Sequence, residues 1–562
     1  MKHDLKILIV GGYGTFGGRL VELLQDEASL TLIIAGRSLE KAASYCQRRR
    51  NGKAHLIPTA FDRTGDFLLQ LTQLQPDIVV DASGPFQNYS ENPYALIQAC
   101  IDRKIHYLDL ADSTDFVTGI SAYDQKAITA GVFILSGVSS FPVLTAAMAR
   151  TLAVDMSRVK SIRGGIAPSP YAGVGGNVIR AIAGYAGQKM ILTHAGKTEA
   201  AYPLTETMRY TIAPSGYLPL KNTLFSLVDV PDLKVLARLW PDAETIWMGA
   251  GPVPEILHRL LIALSWLVRL GAVRTLLPLA GLMEWVIQRA RWGENRGGMF
   301  VEMKGEDLEG RTITRSWHLL AEGSDGPMIP SMAAESIIRR VVAGQIIAPG
   351  ARTALDDVTL DDYNELFKER TIYTGFSTDT ARSDIPLYQY ILGTAWDNLP
   401  PEIRAMHDVL TSAEATGTAE IRRGKTPLAK TIARLIGFPE AGSDVPLRVN
   451  FVVGNDIETW TRTFARQSFS SQQYAGHGHA SRLLVERFGP ITFMMALVWK
   501  DNRLSLILRG WKILGLPLPL WLAPHSDSYE TVEEGRFNFN VEISHPLTGL
   551  IVHYKGWLGR KL

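Results

Sequence analysis

A chain of 562 residues is too long for one ordinary hydrophobic core, so roughly two to four domains are expected. At 46% hydrophobic and 20% charged the composition is that of a folded globular protein, and a formal net charge of +2 gives no general pull toward nucleic acid. Two cysteines, Cys46 and Cys100, exclude a disulfide framework or a cysteine-rich metal site; with no signal-peptide apolar stretch after Met1, the expected location is the reducing cytoplasm.

Lys6 to Val10 is a short β-branched run suited to a buried parallel strand. It opens into Gly11, Gly12, Tyr13, Gly14, Thr15, Phe16 and Gly17, a fit to G-x-G-x-x-G, with Phe16, Leu20, Leu23 and Leu24 following at helical spacing. Strand, glycine turn and helix together are the arrangement that binds a dinucleotide. One glycine permits the tight turn, one lets the backbone approach a pyrophosphate, and one allows the helix to pack closely. The helix start then offers free N–H groups to the phosphates. Leu30 to Ala35 reads as the second strand and ends in Gly36, Arg37 and Ser38. An NAD site places an acidic residue about 20 residues beyond the loop, to bond the ribose 2′-hydroxyl. Here Arg37 stands there, and a guanidinium suits a 2′-phosphate, so the expected cofactor is NADP.

His55 to Phe61 reads as the third strand, with Asp62 at its end within reach of an adenine ring; Phe67 to Leu74 reads as a helix. Asp77 to Asp81 is a fourth strand, opening into Ala82, Ser83, Gly84, Pro85 and Phe86. Asn92 and Pro93 read as cap and first residue of a helix carrying Tyr94 to Arg103, His106 to Leu110 as a fifth strand, and Gly131 as the stop before Val132 to Leu135. Strands separated by single helices predict a Rossmann-type, doubly wound parallel sheet over residues 1–150, with its ligand outside the carboxyl ends of the strands.

Asp81-Ala-Ser-Gly-Pro-Phe86, Ala99-Cys100, His106-Tyr-Leu-Asp109-Leu-Ala-Asp112 and Gly131 through Pro142 together resemble the saccharopine dehydrogenase-like oxidoreductases, over roughly residues 5 to 375. The resemblance implies NADP(H) binding, then a second α/β domain, residues 151–385, with a mostly antiparallel sheet that shapes the substrate cleft and often mediates dimers. Ala111-Asp112 stands where the family often has Gly-Glu, and Ser139 where it often has a carboxylate. Within this frame Tyr107 is expected to donate a proton and Asp109 to orient a ribose or water, or to cap the next helix. Ser139, Tyr171 and Asn177 are expected on the substrate side.

In the second domain Arg158 to Ala167 reads as a strand, and Gly298 to Lys304 with Arg311 to Ala321 as a hairpin. Residues 255–292 are strongly apolar, but Arg259, Arg269, Arg274 and Glu284 interrupt them, so no transmembrane helix is expected. Buried packing, a homodimer contact, cover for an apolar substrate tunnel and rest on a membrane surface all stay open.

From residue 386 to 562 the pattern turns β-rich, with about seven or eight antiparallel strands expected, as a barrel or as a sheet wrapped over a helix. This part resembles an uncharacterised domain often appended to such oxidoreductases, through Glu486-Arg-Phe-Gly-Pro490, Pro517 to Leu522 and Tyr554-Lys-Gly-Trp557. His477 and His479 lack a nearby third ligand and read as a polar loop, so no metal is expected. The function this predicts is hydride transfer between NADP(H) and a C=C or C=N bond of a small, apolar substrate. The alternative is an NADP-sensing or lipid-binding protein without turnover.

Overall fold

The computed structural model describes residues 4–88, 92–194, 196–379 and 385–560. It divides into two compact units, one of residues 1–208, 224–316 and 320–372, the other of 209–223, 317–319 and 373–562.

The first unit opens with β1 (Leu5–Val10), α1 (Thr15–Leu24), β2 (Leu30–Gly36), α2 (Leu39–Gln47), β3 (His55–Ala60), α3 (Phe67–Leu74), β4 (Ile78–Asp81), α4 (Ala95–Asp102), β5 (His106–Asp109), α5 (Thr114–Gly119), α6 (Asp124–Ala130) and β6 (Phe133–Ser136). The sheet order is β6-β5-β4-β1-β2-β3, with parallel pairing throughout, the doubly wound arrangement expected. Helices on both faces bury these strands, so Ile7, Leu8, Ile9 and Val10 are at most 1% exposed. A seventh strand, Gly350–Thr353, joins in parallel beyond β6 from far along the chain. Gly131 ends α6 at φ +72°, a left-handed stop that glycine adopts without strain. One detail differs from expectation. Pro93 lies ahead of α4, and the Asn92 side chain accepts from the Tyr94 N–H in a turn, so the helix begins later without a side-chain cap.

The unit continues into a mixed sheet. Its long strand Met156–Ala167 runs parallel to Thr245–Ala250 and antiparallel to Arg296–Asp307, and Thr245–Ala250 runs antiparallel to Thr223–Leu227. Helices Gly176–Tyr185, Glu255–Arg269 and Ala280–Arg289 pack together through Ala183, Leu264, Ala280 and Met283. The outer faces of the last two remain exposed: Ile256 is 66% accessible, Leu270 73% and Trp285 54%. Packing within this chain therefore does not account for the apolar segment. Among the described residues no helix is long and apolar enough to cross a membrane.

The second unit carries an eleven-stranded antiparallel sheet. Its first strand, Ser412–Arg423, pairs with the last, Gly549–Arg560, and Ile491–Lys500 pairs with Arg503–Ile513, which closes the ring. The short strand Leu516–Leu518 hangs outside on Arg503–Ile513, so ten of the eleven form the barrel. Expectation was seven or eight strands. Gln467–Ala475, Leu484–Phe488, Leu516–Leu518 and His525–Glu533 are the additions, and two of them place Ser471, Gln473 and Glu530 inward, which erases the apolar alternation that marks a strand. Helix Pro401–His407 precedes the first residue of Ser412–Arg423 and helix Pro427–Ile436 follows its last, so the two lie at opposite ends of the barrel.

Candidate active site

The carboxyl ends of β1, β2, β4 and β5 converge beside the glycine loop. Gly11 has φ +79°, and a Cβ there would meet the Ala82 carbonyl oxygen at 2.9 Å. A Cβ on Gly12 would meet the Ile9 carbonyl oxygen at 2.8 Å, and one on Gly17 would overlap that of Gly11. Gly14 is different. Its Cβ would touch only Gly11, at 3.0 Å from the carbonyl oxygen, with space beyond. Gly14 is also the N-cap of α1, with no side-chain cap and no acidic residue in the first turn, so the first N–H groups stay available to an anion. Thr15 opens the helix, and the Phe16 carbonyl accepts from Ser331 Oγ at 3.1 Å.

Tyr13 occupies the space that a Cβ on Gly36 would need, and its hydroxyl accepts from the Ser38 N–H at 3.1 Å. The Ser38 hydroxyl in turn caps α2 by accepting from the Lys41 N–H at 3.3 Å. Arg37 between them is exposed and has no ion-pair partner among the described residues. Asp62 turns back on its own loop, accepting the Thr64 N–H and hydroxyl at 2.8 Å, bonds that hold its carboxyl below the usual range. Arg63 donates to the Ser83 carbonyl at 3.1 Å and so fastens the 82–86 segment. Ala82, Ser83, Gly84 and Pro85 are partly accessible, whereas the Phe86 ring is 5% exposed and packs 5.1 Å from Phe116, a core contact.

Across the crevice, Asn177 donates from Nδ2 to the Gly84 carbonyl at 2.6 Å. Arg19 on α1 holds the Ala172 and Gly173 carbonyls at 2.6 and 3.2 Å, so the 172–177 segment folds over the start of α1. A hollow of about 660 Å³ opens there, lined by Thr15, Arg19, Arg289 and Arg291 among others. Tyr171 is 42% exposed and makes no side-chain bond to these residues. Ser139 sits in the turn after β6, its N–H bonded to the Gly137 carbonyl.

Two expected residues turn out differently. Tyr107 is 1% exposed within the packed core of the parallel sheet, and burial drives its hydroxyl far above its ordinary range. This corrects its reading as a proton donor. Asp109 is fully buried; its Oδ1 accepts the Ala111 and Gly137 N–H groups at 3.0 and 2.8 Å and the Ser136 hydroxyl at 2.9 Å. It ties the end of β5 to the end of β6 rather than capping a helix, and burial raises its carboxyl to about 7.

Sequence reading also passed over a group beside these loops. Asp112 accepts from Gln87 Nε2 at 3.2 Å, and Asp229 accepts from the Thr114 hydroxyl at 2.9 Å. Desolvation raises both carboxyls, and both charges act on the Tyr185 hydroxyl, itself pushed up by burial. Asp112 closes a motif quoted above and could have been found there; Asp229 lies in a loop with no local signal.

Residues 7–135 match the family model of the saccharopine dehydrogenase NADP binding domain, and residues 399–558 match a domain of unknown function, DUF4166. No curated protein matches the chain. Among solved structures it is similar to apo saccharopine dehydrogenase (L-Glu forming) from Saccharomyces cerevisiae, at 15% identity and a TM-score of 0.49, covering 67% of this chain and 100% of that one. It is also similar to a meso-dapdh mutant with DAP from Clostridium tetani E88, at 15% identity and TM-score 0.32, covering 65% and 99%. The WlbA (WbpB) dehydrogenase from Thermus thermophilus follows at 12% identity and TM-score 0.28, covering 61% and 90%.

Proposed function

For a chain whose N-terminal domain is an NADP-binding domain of the saccharopine dehydrogenase type, and which is an NADP-dependent oxidoreductase, we propose reduction of a C=C or C=N bond in an apolar substrate met at a lipid surface. The glycine cradle fits a pyrophosphate because any Cβ at Gly11, Gly12 or Gly17 would meet backbone, and the exposed Arg37 fits the 2′-phosphate. Bound there, NADPH would supply the hydride. Ala82 to Pro85 would flank the nicotinamide side, and Asn177 would hold that loop in place through Gly84. Asp112, whose carboxyl burial shifts upward, would exchange the proton with the substrate, with Tyr185 and Asp229 beside it. Ser139 and Asn177 would line the substrate side.

The observation that carries the substrate class is the exposed apolar face of Glu255–Arg269 and Ala280–Arg289, packed against the helix that bears Asn177 and Tyr185. Arg259, Arg269, Arg274, Arg289 and Arg291 accompany it, the composition that favours an anionic membrane surface. The test is stopped-flow oxidation of enzyme-bound NADPH by apolar enoyl and imine substrates presented in phosphatidylglycerol vesicles. Oxidation by members of one bond class supports the reading. Bound NADPH that stays reduced against the whole panel overturns it.

A further inference from the structure

The ten-stranded barrel encloses a cavity of about 450 Å³, the size of a small-molecule site. It is drawn out along the barrel: on the strand Arg536–His545 the lining runs from Phe537 to His545. Those eight steps, at about 3.3 Å each and a strand tilt of about 40°, cover roughly 20 Å of the barrel axis. Such a volume over such a length is a narrow channel, the shape of one hydrocarbon chain rather than of a fused-ring body. Its inner end is closed by Tyr388 and Met406, from helices Leu387–Leu392 and Pro401–His407, and is floored with rings. Tyr388 stacks on His407 at 3.6 Å, His407 lies 5.7 Å from Trp460, and Trp460 meets Phe451 edge-on at 4.7 Å. The polar side chains of this half are bonded to one another. Glu486 accepts from Arg462 and Gln473, both at 3.1 Å, Arg462 also donates to Ser471 at 2.8 Å, and Glu530 pairs with His407 at 2.7 Å. A head that seeks a cation here finds Arg462 and His407 already engaged.

The outer end is open. Leu428 and Leu547 line the cavity and yet are 49% and 79% exposed, so the mouth lies between helix Pro427–Ile436 and the turn before the last strand. His545 lines the cavity at this end. Its Nδ1 accepts from the Leu547 N–H at 3.2 Å, so the neutral ring carries its proton on Nε2, and that N–H meets no acceptor among the described residues. A free donor at the mouth of an apolar channel marks where a ligand's head rests: at the boundary with water, held through an oxygen that accepts.

We propose that the barrel of residues 412–560 binds one single-chain lipid tail first, its methyl end on the floor at Tyr388 and Trp460 and an oxygen of its head accepting from His545 Nε2 at the mouth. The site is separate from the hydride-transfer reading and stands without it.

The experiment is quenching of tryptophan fluorescence in the full chain by stearate carrying a nitroxide beside its terminal methyl or beside its carboxylate. Trp460 and Trp511 both line the cavity. Trp460 stands at the floor, whereas Trp511 stands toward the mouth, because residues 514–524 lead from its strand to His525, which pairs with Ser544 next to His545. Trp460→Phe should remove more of the quenching by the methyl-end label than of that by the carboxylate-end label, and Trp511→Phe should do the reverse. An equal or opposite pattern refutes the orientation, and quenching that neither substitution alters refutes the site. Should Trp460→Phe misfold, Trp511→Phe decides by the same contrast. His545→Ala should weaken stearate by about tenfold, as a charge-assisted hydrogen bond demands, while leaving NADPH affinity and the affinity for stearylammonium, which has no acceptor, unchanged. Equal loss for the two lipids, or loss for neither, refutes the head contact.

Discussion

Arg37→Ala tests the cofactor assignment most directly. The residue is exposed at the end of β2, and no ion pair within the described residues competes for its guanidinium. Its backbone is fixed on the far side by the Tyr13–Ser38 bond and by the Ser38 cap on α2, so removing the side chain leaves the loop in place. A charge-assisted contact to a phosphate is worth about 1.5–3 kcal/mol, and solvent exposure argues for the lower end, roughly tenfold in affinity. Fluorescence titration should show NADPH weakened by about tenfold and NADH changed by less than about twofold, since only NADPH carries the 2′-phosphate. The loss should shrink as salt is raised, because the contact is electrostatic and exposed. Equal losses for both cofactors, or no loss for either, would refute Arg37 as the selector.

Gly14→Val should leave the melting temperature nearly unchanged and abolish NADPH binding, because its Cβ touches only Gly11 and the branches would fill the phosphate side; a folded variant that still binds refutes the cradle. Gly17→Ala should instead destabilise by about 1–3 kcal/mol, read by denaturant unfolding, because its Cβ overlaps the Gly11 backbone. Asp109 and Asp232 are buried with carboxyls raised to about 7 from an ordinary value of 3.8. The native state therefore holds protons that the unfolded chain releases between about pH 4 and 7, so stability should fall as pH rises through that window, by up to about 1.4 kcal/mol per pH unit for each group. Asp232→Asn should flatten the pH dependence of the melting temperature, and an unaltered profile would count against the burial argument. Leu270→Asp combined with Trp285→Asp should abolish co-sedimentation with phosphatidylglycerol vesicles; a change from dimer to monomer instead would mark the apolar face as a subunit interface.

How far the molecule can be read from its sequence depends on how local each signal is. The glycine loop, the strand before it and Arg37 lie within 37 residues and are punctuated by glycines, so fold and cofactor follow from spacing alone. Tyr107 misleads because strand alternation puts it on the same side as Asp109, which suggests a shared site when in fact both are sealed into the sheet. Asp229 reaches Thr114 and the neighbourhood of Asp112 from more than 100 residues away, and only the second sheet brings them together. The apolar stretch at 255–292 announces its composition but not its partner, since period and hydropathy are the same for a helix facing a core and one facing outward.

The barrel strands Gln467–Ala475 and His525–Glu533 fail to show for a different reason, and it bears on function. A strand is recognised by apolar residues at alternate positions, and here the inward positions include Ser471, Gln473, Ser528 and Glu530. A barrel that packed a solid core would fill those sites with aliphatic side chains, since a buried polar group without a bonded partner costs roughly 1–3 kcal/mol. This one keeps them polar, bonds Ser471 to Arg462, Gln473 to Glu486 and Glu530 to His407, and leaves open volume beside them. The interruption of the apolar pattern is thus the sequence trace of a cavity with a polar wall, and the same residues that hide two strands from the sequence build that wall.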